Sequence, residues 1–289
     1  MLLKTLSLVT VAMVAFAANS LLCRMALVNT DIDPASFTAL RLISGALALS
    51  LLSLFSLRKA PGDSSLWVNL TSNATFLGGA SLFLYALCFS YAYISMATGT
   101  GALLLFGAVQ LTMISFGLAR GERFKRFQWV GFLLAFAGLV ILLLPSASAP
   151  PLLAGIIMVT AGIAWGVYSL LGKKSKSALF ATSGNFIYAS MLCIPLVGCL
   201  LSLNSNVLVF DNNGALLALM SGILASGCGY AIWYSVLPVI KSTTAATVQL
   251  SVPVIATLMG WAILGEQLSI QVVIASVMTL GGIYLVIKK

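Results

Sequence analysis

Between Ala74 and Ala119 the chain runs 46 residues without one charged side chain. As a single helix at 1.5 Å per residue this run would measure roughly 69 Å, more than twice the hydrocarbon thickness of a bilayer. It has to fold back once, and Ala97-Thr98-Gly99-Thr100-Gly101 is the segment predicted to turn. Composition says the same of the whole chain. Of 289 residues 61% are hydrophobic and 7% charged, where a soluble domain has about 45–50% and about 25%. An ordinary soluble domain and a disordered chain are excluded. So is a nucleic-acid binder, because the net charge of +9 has no solvated basic face to sit on. The expected surroundings are a lipid bilayer.

The remaining apolar runs complete a count of ten spans: 5–27, 35–57, two within 74–119, 127–144, 152–172, 178–203, two within 214–264 that fold back near Pro238–Ser242, and 269–287. The charges test this count. Thirteen of the fifteen basic residues fall on the side of the first residue, among them Lys4, Arg58, Lys59, Arg120, Arg126, Lys173, Lys174, Lys241 and Lys288. The other side holds Asp31, Asp33, Asp211 and Glu266 and no basic loop residue. The positive-inside rule then predicts both termini in the cytoplasm, as expected of a multi-pass inner (plasma) membrane protein. Lys4 and Ala15-Phe16-Ala17 have the look of a cleavable signal, but the apolar pattern continues to Val28, which favours a first span.

The two halves resemble each other. At an offset of 144 residues, Gly121-Glu122 matches Gly265-Glu266, Thr100 matches Thr244 and Gly138 matches Gly282. Tyr85-Ala86 aligns with Tyr230-Ala231 one residue out of step, and Ala12, Ala15 and Ser20 of the first span align with Ala161, Ala164 and Ser169 of the sixth. Each half holds five spans, an odd number, so the second half is expected to lie inverted relative to the first. Inverted repeats are a device of secondary transporters, with the binding site between the halves near the midplane.

These same residues resemble a family. The spans ending in Gly121-Glu122 and Gly265-Glu266, Pro34 followed by Arg41, and Gln249-Leu250 before Pro253 are similar to the EamA repeats of the drug/metabolite transporter superfamily. The resemblance covers 5–144 and 152–287. It implies an all-α integral membrane fold of ten transmembrane helices in two inverted five-helix repeats, and export or exchange of small organic metabolites. Val109 stands where the second half has Pro253.

The chain has no histidine, and its five cysteines form no C-x-x-C pair. No metal site, redox motif or cofactor is therefore expected. Arg41 lies roughly 10 Å into its span, where an arginine costs about 2.5–3.5 kcal/mol on insertion scales and faces a cavity or a partner. It reads either as an anchor for a substrate carboxylate or phosphate, or structurally, as a clamp on backbone carbonyls or a snorkelling side chain. Arg24 is nearer a span end and reads as a snorkelling side chain. Glu122 and Glu266 read as helix corners, each after a glycine suited to a helix C-terminus and near the start of the next helix. No acid falls in the middle of a span, which disfavours proton coupling through a buried carboxylate and disfavours a cationic substrate. The expected cavity wall is neutral and polar: Asn19, Tyr85, Gln110, Trp165, Tyr168, Tyr230 and Gln249, together with Arg41. Trp165 and Tyr168 stand on the sixth span, a cavity helix by the family resemblance. Pro253 frees the carbonyl of Gln249 and predicts a kink in the ninth span. Gly78-Gly79, Gly131 with Ala135, and Gly281-Gly282 read as close helix contacts, and the same patches would serve a homodimer.

The function expected is a carrier of a small, amino-acid-like or drug-like solute, working outward by alternating access. The alternatives are an integral-membrane enzyme acting on a lipid or isoprenoid phosphate, which would need clustered acids or histidines at an interface, and a membrane sensor or scaffold.

Overall fold

A computed structural model describes residues 2–59, 65–121, 125–144, 149–172, 177–203, 208–236 and 248–287. Glu122, the fold-back near Pro238–Ser242 and the basic residues Lys173, Lys174, Lys176, Lys241 and Lys288 lie outside them. Among the described residues the fold is all-helical, with no strand. The α-helices run in order α1 (Leu2–Asn29), α2 (Pro34–Lys59), α3 (Leu66–Asn73), α4 (Phe76–Tyr93), α5 (Thr98–Ala119), α6 (Arg126–Leu143), α7 (Leu152–Gly172), α8 (Ala178–Leu203), α9 (Asn212–Met220), α10 (Gly229–Val236), α11 (Ser251–Leu264) and α12 (Ile270–Ile287). A π-helical segment, Ser221–Cys228, joins α9 to α10. Among the described residues eight helices are long and apolar enough to cross a membrane, with α9 to α10 counted as one. Ser251–Leu264 and Ile270–Val286 are equally apolar but shorter. Outward faces carry bare Leu, Ile, Val and Phe, such as Leu47, Leu133, Ile194 and Val277, the pattern of a bundle in lipid.

Three local features differ from the sequence expectation. The fold-back between α4 and α5 occupies residues 94–97, so Thr98, Gly99, Thr100 and Gly101 already belong to the first turn of α5. Those glycines serve packing: a Cβ at Gly99 would collide with Thr257, and one at Gly101 with the ring of Tyr93. The short helix α3 has no counterpart among the expected spans. Ser65 caps it by accepting from the Val68 amide, and it packs on α8. The kink foreseen at Pro253 is a helix break at Leu250. Pro253 becomes the third residue of α11, where its missing N–H leaves no bond unmade.

Packing couples the two ends of the chain. α1 packs chiefly on α9, the π segment, α10 and α11, whereas α7 packs on α4 and α5. α2 lies on α8 and on the π segment, and α4 lies on α8. α5 meets α11, and α6 meets α12. Exchanging each helix of the first half for its counterpart in the second returns the same set of principal contacts. The α6–α12 pair shows the exchange atom by atom. Gln128, at the start of α6, donates through Nε2 to the Val286 carbonyl at the end of α12 (2.9 Å). Gln271, at the start of α12, donates through Nε2 to the Ile141 and Leu144 carbonyls at the end of α6 (2.8 and 3.0 Å). Two antiparallel helices thus satisfy each other's terminal carbonyls reciprocally. Between them the backbones close on Gly131 and Gly282, each with no room for a Cβ, while Gly281 faces open space.

Candidate functional site

The core of the bundle holds a small cavity of about 20 Å³, room for about one water molecule. Phe16, Asn19 and Ser20 of α1, Tyr85 and Phe89 of α4, and Leu105 and Phe106 of α5 line one part of it. Trp165 of α7, Ala225 of the π segment and Tyr230 of α10 line the rest. Both ends of the chain therefore contribute. The rings form one cluster: Trp165 lies 4.7 Å from Tyr85 and 5.1 Å from Tyr230, centroid to centroid, and Phe16 meets Tyr230 edge-on at 5.7 Å.

Arg41 is buried beside this cluster at 1% exposure. Its guanidinium stands 5.2 Å from the Tyr85 centroid and 5.0 Å from that of Phe89, within cation–π reach of both. Nη2 donates to the Tyr85 hydroxyl at 3.0 Å, and Nε donates to Ser226 Oγ at 3.4 Å. Asn19 Nδ2 donates to the same Tyr85 oxygen at 3.3 Å, and Ser221 Oγ donates to Asn19 Oδ1 at 2.6 Å. Arg41 Nη1 is buried and has no hydrogen-bond partner. Arg41 bonds side chains, not carbonyls, and is buried, so of the sequence readings the backbone clamp and the snorkelling side chain are set aside.

The π segment explains how two serines reach these groups. At 3.6 residues per turn, positions five apart point about 140° away from each other, but i→i+5 bonding stacks them. Ser221 and Ser226 are so spaced, and one holds Asn19 while the other holds Arg41. Gly222 permits the approach, since a Cβ there would strike Ser44 and the Arg41 carbonyl. Such bulges recur at functional sites.

At the end of the bundle that carries the α4–α5 turn, one carboxylate ties four helices. Glu266, just past α11, accepts the Thr98 amide on both oxygens (2.9 and 2.8 Å) and the Thr98 hydroxyl at 3.1 Å. It thereby caps α5 from the other half of the chain. The expectation that it would serve the start of its own next helix is corrected. Gly265 does take the left-handed conformation (φ +65°) that ends α11. Arg24 pairs with Glu266 at 3.5 Å and donates to the Tyr93 and Ile94 carbonyls at the end of α4 (2.8 and 2.7 Å). Here the clamp on backbone carbonyls is made by Arg24, which the sequence reading had as a snorkelling side chain.

A sequence profile described as the EamA-like transporter family matches residues 3–144 and again 152–288. The chain belongs to the EamA-like transporter family. An uncharacterized protein of Pseudomonas aeruginosa is 49% identical over 98% of this chain and 94% of its own length. An uncharacterized transporter of Archaeoglobus fulgidus is 26% identical over 99% of this chain and 98% of its own. A Salmonella typhimurium protein named "Probable amino-acid metabolite efflux pump" is 24% identical over 70% of this chain and 71% of its own. A solved crystal structure superposes with a TM-score of 0.62 at 17% identity, covering 97% of each chain, which shows the shared fold. Membership in EamA and these relatives, with the apolar helices, make the protein a multi-pass membrane transporter of the drug/metabolite superfamily.

In this EamA chain the structure gathers Asn19, Arg41, Tyr85, Trp165 and Tyr230 at one place. Tyr168 packs behind Trp165, with ring centroids 5.3 Å apart. Gln110 is buried on α5 and Gln249 half-buried just before α11, and neither lines the cavity. Phe16, Phe89, Ser221 and Ser226 were not foreseen. For the serines a signal exists: Ser221-Gly222 and Ser226-Gly227 repeat a small polar pair inside a span.

Proposed function

We propose that the protein is a secondary transporter that exports a small organic metabolite, amino-acid-like or drug-like, across the inner membrane. It does so by alternating access between two inverted five-helix repeats, 5–144 and 152–287. The observation that carries this reading is the central cavity itself, walled by both repeats and sealed at one end by the Arg24–Glu266–Thr98 tie. The exchange of packing partners and the reciprocal Gln128 and Gln271 caps are what a two-fold axis in the membrane plane produces. The positive-inside rule puts the tie on the outer side, so this state is closed outward. Breaking the tie while the cytoplasmic side closes would deliver the cavity to the outside. Asn19, Arg41, Tyr85, Trp165 and Tyr230 are the substrate-facing residues, with Tyr168 as support; Gln110 and Gln249 join the wall when α5 and α11 move. The Salmonella relative's name supports a metabolite related to an amino acid.

The test is an efflux and resistance screen. Cells lacking the protein and cells overproducing it are compared over amino acids, organic acids and their toxic analogues. Overproduction is expected to lower the cellular content of at least one solute and to protect against its analogue, and Arg41→Gln is expected to abolish both. Unchanged content and resistance across the panel, with the protein folded in the membrane, would overturn the reading.

A further inference from the structure

We infer that the bound substrate is a monoanion, with a carboxylate received by Arg41 and Tyr85 and an apolar, ring-bearing body held by the aromatic cluster. This rests on the central cavity being the substrate site.

A guanidinium carries five N–H donors and no acceptor. Ser226 takes Nε and Tyr85 takes Nη2, which leaves Nη1 buried and unpartnered. The Tyr85 oxygen already accepts from Arg41 and from Asn19, so its own O–H is left to donate. Beside the cavity, Arg41 Nη1 is thus a buried donor with nothing to receive it, next to a Tyr85 hydroxyl that is left to donate. The single amide in the lining, Asn19, has its oxygen engaged by Ser221.

Charge points the same way. Among the described residues Arg41 has no carboxylate partner, and Glu266 is committed to Arg24 and Thr98. A buried cation without a counter-ion is costly, and in membrane proteins such a residue is kept for a ligand or an ion path. A carboxylate supplies two acceptor oxygens in the fork geometry that a guanidinium matches. An ammonium group beside Arg41, by contrast, would meet a like charge and the donors of Arg41 and Asn19, so a second, cationic centre is disfavoured there. Tyr85 touches both Arg41 and the cavity, which makes it the residue that hands the anion from one to the other. The body of the substrate then lies among Phe16, Phe89, Trp165 and Tyr230 once the helices part and widen the cavity, which in this closed state has room for about one water.

Three probes with one phenyl ring and a short chain separate the charge states: 3-phenylpropionate, phenylalanine and phenethylamine. Binding to the purified full-length protein is measured by titration calorimetry and by the shift of its melting temperature. The expected result is saturable binding of 3-phenylpropionate at least tenfold tighter than of the other two. Arg41→Lys, which keeps the charge and loses the fork, is expected to weaken it at least tenfold, and Tyr85→Phe severalfold. The wild-type charge series stands alone should either variant fold poorly. Preference for phenylalanine or phenethylamine, no saturable binding of 3-phenylpropionate, or unchanged binding in Arg41→Lys overturns the inference. Transport itself is judged separately: a solute that crosses as a zwitterion leaves the carrier standing and removes the monoanion.

Discussion

Replacing Glu266 by Gln keeps the shape of the tie and removes its charge. In the structure Glu266 receives three contacts from Thr98 and pairs with Arg24, with only 15% of its side chain and 19% of that of Arg24 exposed. A hydrogen bond to a charged group contributes about 1.5–3 kcal/mol, against about 0.5–1.5 kcal/mol for a neutral one. Gln can still offer one oxygen to the Thr98 amide, but its NH2 faces donors on the other side. The closed state should lose about 2 kcal/mol relative to a state in which Glu266 is hydrated, and at about 1.4 kcal/mol per tenfold this shifts the balance roughly 30-fold toward opening. Cys23 reports it: the thiol is fully buried, one residue from Arg24. In a background with Cys88, Cys193, Cys199 and Cys228 replaced by Ala, a membrane-impermeant maleimide is added from the outside. Labelling of Cys23 is expected to accelerate tens-fold in Glu266→Gln. An unchanged labelling rate in a folded variant would refute the assignment of this tie as the outer closure.

Other consequences follow from the same structure. Gly282→Val, whose side chain must displace the Gly131 carbonyl and the Ala135 backbone, should destabilise the α6–α12 pair by about 1–3 kcal/mol or more and lower the melting temperature; Gly281→Ala, in open space, should leave it unchanged or raise it. Tyr85→Phe removes the acceptor for both Arg41 and Asn19, and thermal unfolding should show a loss of about 1–3 kcal/mol. With no acid in the middle of a span, flux in proteoliposomes should follow an imposed potassium diffusion potential, about 2.3 kcal/mol per 100 mV for one charge, and ignore a pH gradient imposed at zero potential.

Much of the fold was legible because bilayer physics acts on long segments. A 46-residue uncharged run needs no tertiary information to be read as two helices. What escaped depends on groups meeting across the bundle. Glu266 sits beside a glycine in a pattern that suits a helix corner, yet its hydrogen bonds go to Thr98, 168 positions earlier. The glycines at 99 and 101 looked like a turn because a sequence does not distinguish conformational freedom from the need for close approach. Helix α3 was too short for an apolar run to announce it. The candidate site was half legible. Arg41, Asn19, Tyr85, Trp165 and Tyr230 stood out as polar or aromatic residues in spans, but Ser221 and Ser226 reach the site only through a π turn, which hydropathy does not reveal.

The central claim is that this EamA chain carries its substrate through a cavity shared by both repeats. Counterflow in proteoliposomes tests it most directly: vesicles loaded with unlabelled solutes from the efflux screen and with 3-phenylpropionate are given a trace of the labelled compound outside. The account predicts transient, saturable accumulation of label that disappears in Arg41→Gln and slows in Trp165→Ala. Absence of counterflow for every solute, from protein shown to be folded in the vesicles, would contradict it, and so would counterflow indifferent to both substitutions.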